Sequence, residues 1–398
     1  MEPRLAHRPH GKTAQAAMLS STRRALLASV AAGALGRGAA LSVPRRIQAF
    51  CIDFNWRKPR PEGWLNDFAK PGHWASASPE EHVAWYQGIG ANTIQTFCVS
   101  TNGYAWYQGG AVPAQPGLQH DFLRRVAELG HRKNMLVMGY FCAGANTKWG
   151  LDHPDLSYGS PSDLHIPYTD RYIDYLCRSI EDAVRHTGID GYMLDWLWNP
   201  NPALRKGGWI ASEQKLFEKL AGEPFPKTGQ PAAAYVLSYE RAAIERCWSR
   251  IYEVTKGARR NAIIWLSCSK LSDPAIAETR VLKQADWVLN EAPNREYYEA
   301  GRKMAGSHTR LIQCLAGWTQ HDAKTYLSDP QNHDIDMYGF AEPRDNSLPL
   351  AVEEYLGKPI SAFRSGGAFA ANDVNIAALA RYFRGLPMNY VGPRQGAR

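Results

Sequence analysis

The chain has 398 residues, 44% of them hydrophobic and 21% charged, with 34 Gly and 25 Pro. That length suits several small domains or one large α/β barrel, and the composition excludes intrinsic disorder, a collagen repeat and a coiled coil. A formal net charge of +8 would suggest a polyanionic partner, but eight Lys or Arg and the single acid Glu2 lie within residues 1–46, so the remainder is close to neutral and no nucleic-acid-binding surface is expected.

The basic leader is ordered. Ser21-Thr22-Arg23-Arg24-Ala25-Leu26-Leu27 is followed by a weakly apolar run to Leu35 and then by small residues around Gly38, Ala40 and Ser42. This resembles a twin-arginine export signal. It implies a leader over residues 1–46, a partnership with the twin-arginine export machinery and a periplasmic or secreted mature chain. The apolar run is too short for a stable membrane anchor.

From Ile47 onward, short apolar, β-branched runs recur: 47–56, 92–100, 135–144, 190–198, 262–269, 285–292, 309–318 and 334–343. Helix-sized segments separate them. Ser78-Pro79-Glu80-Glu81 carries a capping box with Pro in the first turn. Tyr172, Leu176, Ile180 and Val184 fall at i+4 spacing before a stop at Gly188, and another helix is expected over Asp373–Phe383, ahead of Gly385. Eight buried strands alternating with helices predict a single (β/α)8 TIM barrel over 47–398. A long insertion follows the fourth strand, at 199–235, with a helical stretch over Glu213–Leu220. Its position on the catalytic face predicts a lid, with Trp209 exposed and facing substrate.

The seven Cys form no CxxC, and Cys98, Cys142, Cys268 and Cys314 sit in or beside strand-like runs, where a thiol packs as a small hydrophobe. His153, His165, His308, His321 and His333 are scattered. No His-x-His follows the first strand, and His-Glu-x-x-His, a P-loop and Gly-x-Ser-x-Gly are all absent. No metal or other cofactor is therefore expected.

Chemistry in such a barrel collects at the C-terminal strand ends. Those ends carry Asp53, Asn55 and Trp56; Asn102 and Tyr104; Asn146 and Trp149; Asp195, Trp196 and Trp198; Asn290 and Glu291; Trp318, Gln320 and His321; and Glu342. Carboxylates and amides suit hydroxyl-rich ligands, and aromatic faces suit the C–H side of a sugar ring. A carboxylate after Gly-Tyr-Met-Leu at a strand end is costly to bury without a partner or a task, which singles out Asp195 and, after Trp287-Val288-Leu289-Asn290, Glu291.

Three segments carry a family likeness: Gly139-Tyr140-Phe141, then Gly144-Ala145-Asn146, and Asp190-Gly191-Tyr192-Met193-Leu194-Asp195-Trp196. Through them the stretch from Ile47 to about Leu386 resembles the glycoside hydrolase barrels related to α-L-fucosidases. The resemblance implies a nucleophilic Asp at the end of strand four and an acid/base after strand six, places matched by Asp195 and Glu291. It further implies a two-carboxylate glycosidase of α-L-fucosidase-like or α-galactosidase-like type, retaining if the carboxyl groups stand about 5–5.5 Å apart and inverting at about 6.5–9.5 Å. Asp53, Asn55, Asn102, Tyr104, Asn146 and Glu342 would hold hydroxyls, and Trp56, Trp149, Trp196, Trp198 and Trp318 would wall the pocket. The fucosidase pattern has Trp-Phe before Asp-Gly, which is lacking here, so no particular sugar is implied. The alternative is a non-catalytic carbohydrate-binding barrel.

Overall fold

Each of the eight apolar runs contains a strand: β1 (Gln48–Ile52), β2 (Thr93–Gln95), β3 (Leu136–Cys142), β4 (Gly191–Asp195), β5 (Ile263–Cys268), β6 (Trp287–Asn290), β7 (Arg310–Cys314) and β8 (Asp336–Ala341). Every neighbouring pair is parallel, and β1 pairs with both β2 and β8, so the sheet closes. Strands covered on both sides, by barrel interior and by helices, have no solvated face, which is why the runs are continuously apolar rather than alternating. The computed structural model describes residues 42–56, 68–160, 163–198, 204–268, 271–277, 279–291, 295–316, 322–363 and 372–392. The export motif lies outside the described residues, as do Trp318, Gln320 and His321.

The helices begin and end where local chemistry dictates. Ser78 accepts the Glu81 N–H at 3.3 Å ahead of helix Pro79–Ile89, which ends at a left-handed Gly90. Thr169 caps Asp170–His186, and Tyr172, Leu176, Ile180 and Val184 form its buried stripe. Gly188, with φ 80°, follows the last turn of that helix and its C-cap Thr187. Helix Asp373–Phe383 matches the expected bounds. All seven cysteines are buried and free. No helix among the described residues is long and apolar enough to cross a membrane.

The insertion after β4 corrects the sequence expectation for Trp209, which is 8% exposed rather than a surface residue. Its ring packs within 5.4–5.7 Å of Phe217, Phe225 and Tyr239, the Arg205 guanidinium lies 4.2 Å above it, and its indole N–H donates to Gln230. Helices Ala211–Ala221 and Ala233–Ala258 supply Phe217 and Tyr239, and Phe225 comes from the segment between them. Trp209, Phe217 and Tyr239 belong to one continuous core with the barrel, so Trp209 is a packing residue there. Beside it, buried Arg205 pairs with Glu213 at 2.6 Å, and Glu213 accepts the hydroxyls of Tyr158 and Tyr239. A buried carboxylate with a guanidinium and two hydroxyl donors is satisfied, which keeps this ion pair tolerable away from water.

Candidate active site

At the C-terminal mouth of the barrel, strand ends surround a cavity of about 210 Å³. Asp53, Asn55 and Trp56 come from β1, Gln95 from β2 and Tyr140 from β3; Met193, Asp195 and Trp196 come from β4, Ser267 from β5, Leu289 and Glu291 from β6, and Tyr338 and Phe340 from β8. Met193 and Asp195, Leu289 and Glu291, and Tyr338 and Phe340 are spaced by two because alternate strand residues face the barrel interior.

Asp195 stands at the centre. Its Oδ2 accepts the Tyr140 hydroxyl at 2.8 Å and its Oδ1 accepts the Trp196 backbone N–H at 3.0 Å. Burial pushes its carboxyl above the usual aspartate range, against the opposing pull of the Tyr140 and Ser267 hydroxyls and the Trp196 N–H. Tyr140 is itself held protonated, first by burial and then by the Asp195 charge, so it stays a donor. Ser267, which lines the same cavity, donates its hydroxyl to Glu291 Oε1 at 2.7 Å. The two carboxyl groups singled out by sequence thus line one cavity.

Trp196 takes an uncommon backbone conformation for a bulky residue, with φ 51°. Tyr168 donates its hydroxyl to the Trp196 carbonyl at 3.0 Å, and a Cβ added to Gly144 would lie 2.7 Å from that carbonyl oxygen. Gly144 is therefore a close-approach glycine, and the strain sits beside Asp195, where such strain tends to be functional. The Trp196 ring lies 6.1 Å from Trp56 and 6.0 Å from Phe68.

Six residues expected at the site line this cavity: Asp53, Asn55, Trp56, Asp195, Trp196 and Glu291. Asp53 accepts the Asn55 N–H, while Asn55 Oδ1 accepts the Thr101 N–H at 2.9 Å, tying the β1 rim to the β2 loop. Asn102 instead braces its own loop through Ala69, Tyr104 and Gln115. Tyr104 lies on that loop and away from the cavity lining. Asn146 caps the short helix Thr147–Asp152 and bonds Tyr175, and Trp149 is buried, stacked on His153 at 4.1 Å. Trp198 packs on Trp196 at 5.4 Å, outside the lining, and Glu342 is half-buried past β8, also outside it. Sequence reasoning missed Gln95, Tyr140, Met193, Ser267, Leu289, Tyr338 and Phe340 as lining residues. Counting back by two from Asp195 and Glu291 would have found Met193 and Leu289.

The fold and its carboxylate-bearing mouth define the class: an eight-stranded parallel barrel of the architecture found in glycoside hydrolases. Among solved structures, the chain is similar over 85% of its length to α-L-fucosidase isoenzyme 2 from Paenibacillus thiaminolyticus, with a TM-score of 0.58 and 12% identity. It spans only 49% of that protein, about half its length. Over 76% of its length it is also similar to the glycoside hydrolase domain of PgaB (BpsB) from Bordetella bronchiseptica, covering 94% of that domain with a TM-score of 0.51 and 12% identity. At such identities the likeness is one of fold. No protein-family model matches the chain, and no curated protein does.

Proposed function

We propose that this protein is a glycoside hydrolase that cleaves its substrate by double displacement with retention. The observation that carries the reading is that Asp195, from the end of β4, and Glu291, just past β6, line the same cavity at the barrel mouth. Asp195 attacks the anomeric carbon as the bond to the leaving oxygen breaks, and Glu291 gives that oxygen its proton. Glu291 then takes a proton from water, whose oxygen attacks the same carbon and releases Asp195. Retention needs the two carboxyl groups about 5–5.5 Å apart, and inversion needs about 6.5–9.5 Å; retention is the reading that the resemblance to α-L-fucosidases supports. Trp56 and Trp196 offer flat faces to the sugar, and Asp53 and Asn55 offer polar groups.

A panel of aryl glycosides, starting with α-L-fucosides and α-galactosides, tests the activity alongside a binding assay. Turnover of any member supports hydrolysis. Binding without turnover across the panel would instead favour a non-catalytic carbohydrate-binding barrel.

The raised pKa of Asp195 has a directional consequence. Attack needs the carboxylate, so the acidic limb of kcat/KM should lie above the ordinary aspartate range. Tyr140→Phe removes a donor that favours the ionised form, and the limb should then move to still higher pH. A pH–rate profile of the variant checks this; an unmoved limb would detach Tyr140 from the titration. Because folding raises this pKa, the group favours the folded state at low pH, and that contribution is lost as pH climbs from the unfolded to the folded value.

For the leader, Arg23-Arg24 ahead of a weakly apolar run supports twin-arginine export to the periplasm or beyond. Changing both to Lys should leave full-length precursor in the cytoplasm, as read by fractionation and immunoblotting. Normal processing of the double variant would give the leader another role.

A further inference from the structure

We propose that His165 is a positioning residue of the active site, backing the Trp196 indole and thereby fixing the backbone N–H that Asp195 accepts. The inference rests on the hydrolase reading for its effect on turnover, while the clamp itself is geometric. His165 is 4% exposed, and its ring lies 5.4 Å from that of Trp196 with only 14° between the planes, a stacked contact. Trp196 is at once a cavity wall, the donor to Asp195 Oδ1 and a residue held in the left-handed region. Such a conformation persists only where its surroundings over-determine it. Tyr168 and Gly144 hold the Trp196 carbonyl, and His165 holds its ring.

The support behind His165 runs into the insertion after β4. His165 ends an antiparallel hairpin in which it pairs with Tyr158, and it bridges to Ala145 at the end of β3, where the Ile166 N–H also bonds the Gly144 carbonyl at 3.0 Å. At the other end of the pair, the Tyr158 hydroxyl donates to Glu213 at 2.6 Å and accepts the Ile210 N–H at 2.8 Å. The cluster around Trp209, Arg205 and Glu213 therefore braces the hairpin. In this arrangement the insertion acts as a buttress: it sets the Trp196 wall through His165.

The test uses the full chain labelled with 5-fluorotryptophan, whose 13 Trp positions report by 19F NMR, with the Trp196 resonance assigned from Trp196→Phe. His165→Ala should shift and broaden that resonance, and His165→Phe, which restores a flat ring, should return it toward wild type. On an aryl glycoside, His165→Ala should raise KM and lower kcat, with kcat/KM falling about 10²-fold, the scale of an ångström-sized misplacement, and His165→Phe should recover most of the loss. A role in stability alone would lower the active fraction, reducing kcat with KM unchanged, and Phe would not rescue it selectively. An unmoved Trp196 resonance in His165→Ala overturns the proposal, and so does a moved resonance with wild-type kcat/KM. If His165→Ala does not fold, His165→Leu fills the volume without a flat face and gives the same readout. Should the wild-type protein hydrolyse no glycoside, the hydrolase reading fails, while the 19F comparison still decides whether His165 sets Trp196.

Discussion

Asp195→Gly should lose turnover on every glycoside the wild type cleaves, by roughly 10⁴-fold or more, the scale expected when a nucleophile is removed. The effect does not depend on the leaving group, because without the carboxylate no covalent intermediate forms. Glu291→Ala should behave differently. Its cost scales with how much the leaving oxygen needs a proton, about 10²- to 10⁴-fold for a poor leaving group, while the first step on a nitrophenyl glycoside is largely spared. Azide should rescue both variants with opposite products. With Asp195→Gly it attacks the substrate directly and gives an inverted glycosyl azide; with Glu291→Ala it attacks the glycosyl-enzyme and gives a retained one. NMR of the isolated azides reads the difference. Wild-type activity in Asp195→Gly, or a Glu291→Ala defect that is the same for natural and activated substrates, would remove that residue from its role.

Trp209→Ala should destabilise the protein by about 3–5 kcal/mol, the cost of emptying a large aromatic site that its neighbours cannot refill. Phe217, Phe225 and Tyr239 would lose their common partner, and the Arg205 guanidinium would lose the ring beneath it. Trp209 does not line the mouth cavity and acts on Trp196 only through the hairpin, so KM of the remaining folded enzyme should change less than it does in His165→Ala. Urea unfolding measures the first quantity and steady-state kinetics at low temperature the second. A stability change within about 0.5 kcal/mol, as for an ordinary surface site, would show that the packing there does not depend on this ring.

The barrel was legible in the sequence because its signals are local. Strands buried on both faces must be continuously apolar, and Ser78, Thr169 and the glycines after the helices mark element ends through bonds that span only a few residues. Asp195 and Glu291 were legible for a related reason. A charge at the end of an apolar strand is conspicuous, and in a closed parallel barrel all strand ends of one polarity share one rim. The sequence could not say which rim side chains turn inward and which brace their own loops. Asn146 and Asn102 have the chemistry of sugar-binding amides, yet their hydrogen-bonding groups go to a helix N-terminus, to Tyr175 and to Gln115. The meeting of Asp195, Ser267 and Glu291 required β4, β5 and β6 in register, and the stacking of His165 on Trp196 required a hairpin from one loop to reach the end of another strand. Composition likewise marked the insertion as long and rich in Gly and Pro, but whether Trp209 faced substrate or its own aromatic neighbours depended on how two helices pack. Local sequence thus determined the elements and their polarity. Burial and hydrogen bonding among residues distant in the chain decided which polar groups face the cavity, because a side chain oriented into bonds with its own loop or helix is turned away from it.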